Sequence, residues 1–159
     1  DPILSDWAQE KGDSIKFIQT PAISSEYWRL LGRNFLTYQE LGEHDRYHTA
    51  FFRAIHDGGR TFTDKESLAE FYEQLGGKQQ DYINAFNSVG VASELSKADS
   101  MARRLKVAMV PSVVVQGKYL VRTSGSVGPK RMLDVMDYLL AKELAEQENS
   151  EPRTSAQKN

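Results

Sequence analysis

Apolar positions along this chain change period twice, and those changes divide it into elements. The opening stretch DPILSDWAQEKG places Ile3, Leu4, Trp7 and Ala8 on one helical face, with Pro2 suited to a first turn and Gly12 to an end. Ile15 to Thr20 (IKFIQT) is a compact β-rich run closed by Pro21, which predicts a strand. A long zone of helical spacing follows. Tyr27, Leu30, Leu31, Asn34, Phe35, Tyr38 and Leu41 define a helix from about Ser25 to Leu41, and Tyr47, Phe51, Phe52 and Ile55 define another from His44 to His56. Thr63 and Glu66 have the spacing of a capping box for a third helix through Leu68, Phe71, Tyr72 and Leu75, stopped by Gly76 and Gly77. Tyr82, Ile83 and Phe86 mark a short fourth. Residues 91–106 form a fifth on Leu95, Ala98, Met101, Ala102 and Leu105.

The period then turns from helix to strand. Ser112 to Val115 and Lys118 to Arg122 are β-rich runs joined through Gln116 and Gly117, a tight hairpin signal. The unbroken Val113, Val114, Val115 run predicts a strand covered on both faces. After SGSVG, Pro129 opens a last helix through Met132, Leu133, Met136, Leu139, Leu140 and Leu144, and the polar residues 147–159 are expected to be a disordered tail. The order is helix, strand, five helices, hairpin, helix. Helices inserted between a first half and a closing hairpin-and-helix half point to an α/β fold rather than a helical bundle.

Composition narrows the function classes. At 159 residues the chain suits one folded unit with a real core. Its 20 basic and 22 acidic residues give a net charge of -2, which leaves no electrostatic footprint for nucleic acid or an anionic membrane. No apolar run approaches the length of a bilayer-spanning helix, and residues 1–20 lack the regions of a signal peptide, so a soluble chain, mature or trimmed, is expected. There are no cysteines, which excludes disulfides, thiolate metal sites and a cysteine nucleophile within these residues.

Other chemistry is sparse. His44 and His48, four apart, could chelate a divalent metal with Glu43 or Asp45 nearby, but no third ligand is placed and no metal is expected. His56 suits the end of its helix, where a cationic ring complements the dipole. No glycine-rich phosphate loop precedes a helix, and no serine-centred nucleophile elbow is present. Phe35, Tyr38, Phe51, Phe52, Phe62, Phe71 and Tyr72 are expected mostly to form the helical core, with a minority lining an apolar groove.

Four stretches together resemble the DsbA family of thiol:disulfide oxidoreductases. DPILSDWAQ is similar to the continuation of that family's active-site helix, and IKFIQTPA to the strand after it. The zone from YWRLLGRNF to LAEFYEQLG is similar to its helical domain, and VPSVVVQGKYLV to its Val-Pro loop, strand and hairpin. The resemblance covers roughly residues 1–145 and implies a thioredoxin-like fold, residues 1–24 with 107–146, carrying a helical insertion at 25–106. It implies that Pro111 is the family's cis-proline and that, with Val110, it holds an extended substrate backbone. A proline just before a buried strand removes a ladder donor where a peptide could supply its own pairing partner. The family commonly has Gly where this chain has Met109.

The family's chemistry needs a low-pKa cysteine at a helix N-terminus, where unpaired amides and the dipole stabilise the thiolate. The resemblance places that Cys-x-x-Cys pair before Asp1, on a helix continuing through Ile3 and Trp7. It also places an upstream central strand between the Ile15–Gln19 run and the Ser112–Val115 run. Without that strand both neighbours lose pairing partners, so the chain is expected to be part of a larger protein, or another segment to fill that slot. Implied with the family are periplasmic location, unfolded or reduced polypeptide substrates, a membrane reoxidase of the DsbB type, and no cofactor. Two alternatives stay open: a cysteine-free peptide-binding or chaperone-like module, and a glutathione transferase-like enzyme of the kappa class.

Overall fold

The computed structural model describes residues 2–150. It contains α1 (Pro2–Lys11), a single 3-10 turn (Gly12–Ser14), α2 (Glu26–Glu40), α3 (His44–His56), α4 (Lys65–Gln74), α5 (Gln79–Phe86), α6 (Val89–Arg104), β1 (Ser112–Val115), β2 (Tyr119–Arg122) and α7 (Pro129–Ser150). Two compact units are present, one built from Asp1–Ile18 with Met109–Asn159 and the other from Gln19–Ala108. No helix among the described residues is long and apolar enough to cross a membrane.

In the first unit, β1 and β2 pair antiparallel, with Val113 opposite Val121 and Val115 opposite Tyr119. The turn between them puts both Gln116 (φ 50°) and Gly117 (φ 68°) in the left-handed region, and Lys118 N–H donates to Val115 C=O at 3.0 Å. Glycine adopts that conformation freely; glutamine does not. Val115 and Val121 from the hairpin meet Trp7 from α1 and Met132, Met136 and Leu139 from α7 in one buried cluster. That is the face the three-and-four spacing of both helices predicts. The hairpin is also tied to α7 by charge: the Lys118 ammonium lies 2.6 Å from the buried Glu143 carboxylate.

The second unit is a helical bundle around stacked aromatic rings. Tyr38, Tyr47, Phe51, Phe62, Phe71, Tyr72, Tyr82 and Phe86 are all buried in one cluster. Rings of this size bury enough apolar area to stabilise the unit by about 1.5–3 kcal/mol each. Of the seven aromatics expected mostly to form this core, five are buried, Phe35 is half-buried and Phe52 is exposed. α2 is capped by Ser25, whose hydroxyl accepts from Trp28 N–H, and α6 by Ser88, whose hydroxyl accepts from Val91 N–H. Gly77 is sterically required, since a Cβ there would fall 2.1 Å from the Tyr72 ring.

Three expectations need correction. Ile15 to Thr20 forms no strand, because among the described residues the only sheet pairs β1 with β2 and no ladder includes this run; Ile15 starts it extended (φ -135°, ψ 154°) and packs into the first unit's core. α4 is capped one residue later than its Thr-x-x-Glu spacing suggests. The Asp64 carboxylate accepts from Ser67 N–H at 2.8 Å while Ser67 Oγ faces Asp64 N–H at 3.4 Å, and a carboxylate is the stronger acceptor. Finally, α7 runs through Ser150, into the segment expected to be a tail. AKELAEQE is rich in strong helix formers, and Lys142 lies 3.9 Å from Glu146 one turn on. Residues 151–159 of that expectation lie outside the described residues.

Candidate functional site

α6 ends with Lys106 in the left-handed region (φ 54°), its successor Val107 N–H reaching back to Ala102 C=O at 2.9 Å. This C-terminal cap turns the chain out of the helix and into the segment that leads to β1. There Met109 (47% exposed) and Val110 (56% exposed) present apolar side chains to solvent. The Val110–Pro111 peptide bond is cis. Ser112 Oγ closes the loop by donating to Met109 C=O at 2.6 Å.

Pro111 shares a small cleft, about 20 Å³, with Ile3 and Leu4 from the first turn of α1, Thr123 after β2, and Pro129, Met132 and Leu133 from the start of α7. Helical and strand periodicity explain the convergence. Ile3 and Leu4 lie one turn before the buried Trp7, and Met132 one turn before the buried Met136, so Leu4 and Met132 continue the inward faces of their helices while Ile3 remains 44% exposed. The loop before β1 and the leading end of α1 are thereby brought together. The family resemblance implies that the Val-Pro loop lies at the leading end of this helix; Ile3, Leu4, Met132 and Leu133 themselves are legible in the sequence only as core positions.

One turn further along, α1 and α7 are joined by polar contacts. Trp7 Nε1–H donates to Asp137 Oδ1 at 2.9 Å, and the Lys11 ammonium lies 2.7 Å from the same oxygen. Lys11 is also 5.6 Å from the Trp7 ring centroid. The Lys11 hydrogen bond, against some cost of burial and with help from the indole N–H, holds the Asp137 carboxyl below the usual carboxylate range.

His44 and His48 belong to the second unit, their rings 4.5 Å apart, with Phe35 edge-on to His44 at 4.7 Å and Phe52 beside His48 at 4.6 Å. Burial, then the neighbouring His44, push the His48 imidazole down to about 4, and burial lowers His44 as well. Among the described residues no three His, Cys, Asp or Glu side chains converge as a metal site.

A hairpin sharing one core with two helices that also pack on each other, a helical unit inserted in the chain between the first helix and the hairpin, and a Val-Pro loop beside the start of the first helix are the features of a thioredoxin-like oxidoreductase with a helical insertion. The sequence profile of the DSBA-like thioredoxin domain matches residues 3–139, and the chain belongs to that family of thiol:disulfide oxidoreductases. It is 33% identical over 147 residues to the thiol:disulfide interchange protein DsbA of Azotobacter vinelandii, covering 92% of this chain and 69% of that protein. The DsbA of Pseudomonas syringae is 30% identical over 145 residues, covering 91% and 68%. Among solved structures, Pseudomonas aeruginosa DsbA superposes with a TM-score of 0.86 at 31% identity, over 92% of this chain and 77% of that one.

Proposed function

We propose that these residues form the polypeptide-binding part of a DsbA-type oxidoreductase that introduces disulfides into proteins of the periplasm, with Val110 and Pro111 holding an extended substrate chain. The observation that carries this reading is the shared cleft: Pro111 lines it together with Ile3 and Leu4 at the leading end of α1, while Val110 beside it is exposed. An extended peptide laid along such a loop pairs through its backbone, and side chains such as Val110 give it an apolar seat.

In thiol:disulfide exchange a thiolate attacks a disulfide sulfur, giving a mixed disulfide that a second thiolate displaces. These 159 residues contain no cysteine and so supply neither thiol; their part in the reaction is to hold and orient the substrate. Disulfides persist in an oxidising compartment, which supports the periplasmic assignment, and a membrane reoxidase of the DsbB type would complete the cycle. A cysteine-to-serine variant of the DsbA of Proteus mirabilis, 18% identical and similar in fold with a TM-score of 0.70, has been solved with a non-covalently bound peptide PWATCDS.

That peptide is a suitable probe. Titrated into the 159-residue chain, it is expected to shift the backbone NMR resonances of Met109 to Val113, and Val110→Glu is expected to weaken binding about tenfold, since it sets a charge in an apolar contact. The chain by itself is expected to give no turnover in a peptide-oxidation assay. Resonance shifts confined to residues away from the loop, or equal affinity for V110E, would overturn the assignment of the site.

A further inference from the structure

We propose that Asp137 is a positioning residue for the peptide site: by accepting the Trp7 indole N–H, it sets the register of α1 against α7 and thereby the placement of Ile3 and Leu4 beside Pro111. The inference rests on the peptide-binding reading above.

Two helices that run side by side can slide or rotate unless some contact is directional. Here α1 and α7 advance in the same sense, Ile3 and Leu4 lying near Met132 and Leu133 at one level, and Trp7 and Lys11 meeting Asp137 at the next. At the first level the side chains that α1 and α7 contribute, Ile3, Leu4, Met132 and Leu133, are all apolar; burial of such side chains favours proximity without choosing a register. At the second, one carboxylate oxygen takes both the indole N–H at 2.9 Å and the Lys11 ammonium at 2.7 Å. Hydrogen bonds weaken steeply when bent, so this pair of donors selects one rotation of α1.

The two donors are not equal. Trp7 is 6% exposed and its indole can take only the orientation that the core allows, whereas the Lys11 side chain, which competes for the same carboxylate oxygen, is 32% exposed. Screening leaves a pair that open to solvent little energy, so the indole hydrogen bond is the one that holds the register. The cleft above it has a volume of only about 20 Å³, so a small turn of α1 changes what lies against Pro111.

The test uses the full chain with labelled Ile, Leu and Val methyls and the PWATCDS peptide. Asp137→Ala is expected to move the Trp7 indole resonance and the Ile3 and Leu4 methyls, and to weaken the peptide about two- to tenfold, the range one hydrogen bond commands. Asp137→Asn keeps an oxygen acceptor for the indole and is expected to restore both readouts to within about twofold of the parent. Asp134→Ala, on the same helix, serves as control. If D137A fails to fold, Trp7→Phe deletes the donor and keeps the burial, and is expected to show the same shifts and loss. Unchanged Ile3 and Leu4 methyls in D137A or W7F, or an Asp137→Asn variant as impaired as D137A, would overturn the proposal. Failure of the parent chain to bind the peptide would instead overturn the peptide-site reading, and the methyl shifts would then decide the role of Asp137 alone.

Discussion

The hydroxyl of Tyr82 donates to Asn34 Oδ1 at 2.7 Å, joining α5 to α2 through two buried side chains. Burial is the main cause pushing the Tyr82 phenol well above its ordinary range, so this group stays a neutral donor at any working pH. Tyr82→Phe keeps the ring and its packing but leaves Asn34 Oδ1 without that donor. The expected cost is about 1–3 kcal/mol, measured as a lower denaturant midpoint with an unchanged slope.

The histidine pair on α3 predicts an acid-sensitive stability. A His48 whose folded pKa is about 4, against an ordinary value of 6.5, binds its proton less readily when folded than when unfolded. Stability is therefore full above about 6.5, declines as pH falls from there, and levels off below about 4. His48→Gln is expected to flatten the slope of stability against pH across that window. Urea unfolding at several pH values, with an NMR titration of the His48 ring, checks it; a ring that titrates near 6.5 removes the basis of the prediction.

Gln116 occupies a left-handed position at φ 50°, where a Cβ is costly. Asparagine tolerates that conformation and forms the favoured Asn-Gly pair with Gly117. Gln116→Asn is expected to raise stability by about 0.5–1 kcal/mol without altering peptide binding. Thermal midpoints of the two chains decide the matter, and a fall in midpoint on substitution would contradict the strain argument.

How much of this protein is readable from its residues follows from how local each signal is. The periodicity of Tyr27 through Leu41 and of His44 through His56, the Gln116–Gly117 turn and the Pro129 helix start all depend on neighbours within a few positions, and the elements appear where those patterns place them. The same holds for the family resemblance, whose stretches each keep their order along the chain. The capping of α4 was local as well, but two overlapping solutions existed, and acceptor strength chose Asp64 over Thr63.

Tertiary structure decided the rest, for reasons no short window contains. A strand exists only when another backbone completes its hydrogen bonds, so the β-rich composition of Ile15 to Thr20 could not settle its state. The Trp7–Asp137 bond spans 130 positions, and nothing near either residue names the other as its partner. Local pattern determined which helices and turns form and which faces they bury; the meeting of Pro111 with Ile3 and Leu4 came from packing those faces together, because closure between distant segments is set by shape and burial over the whole unit.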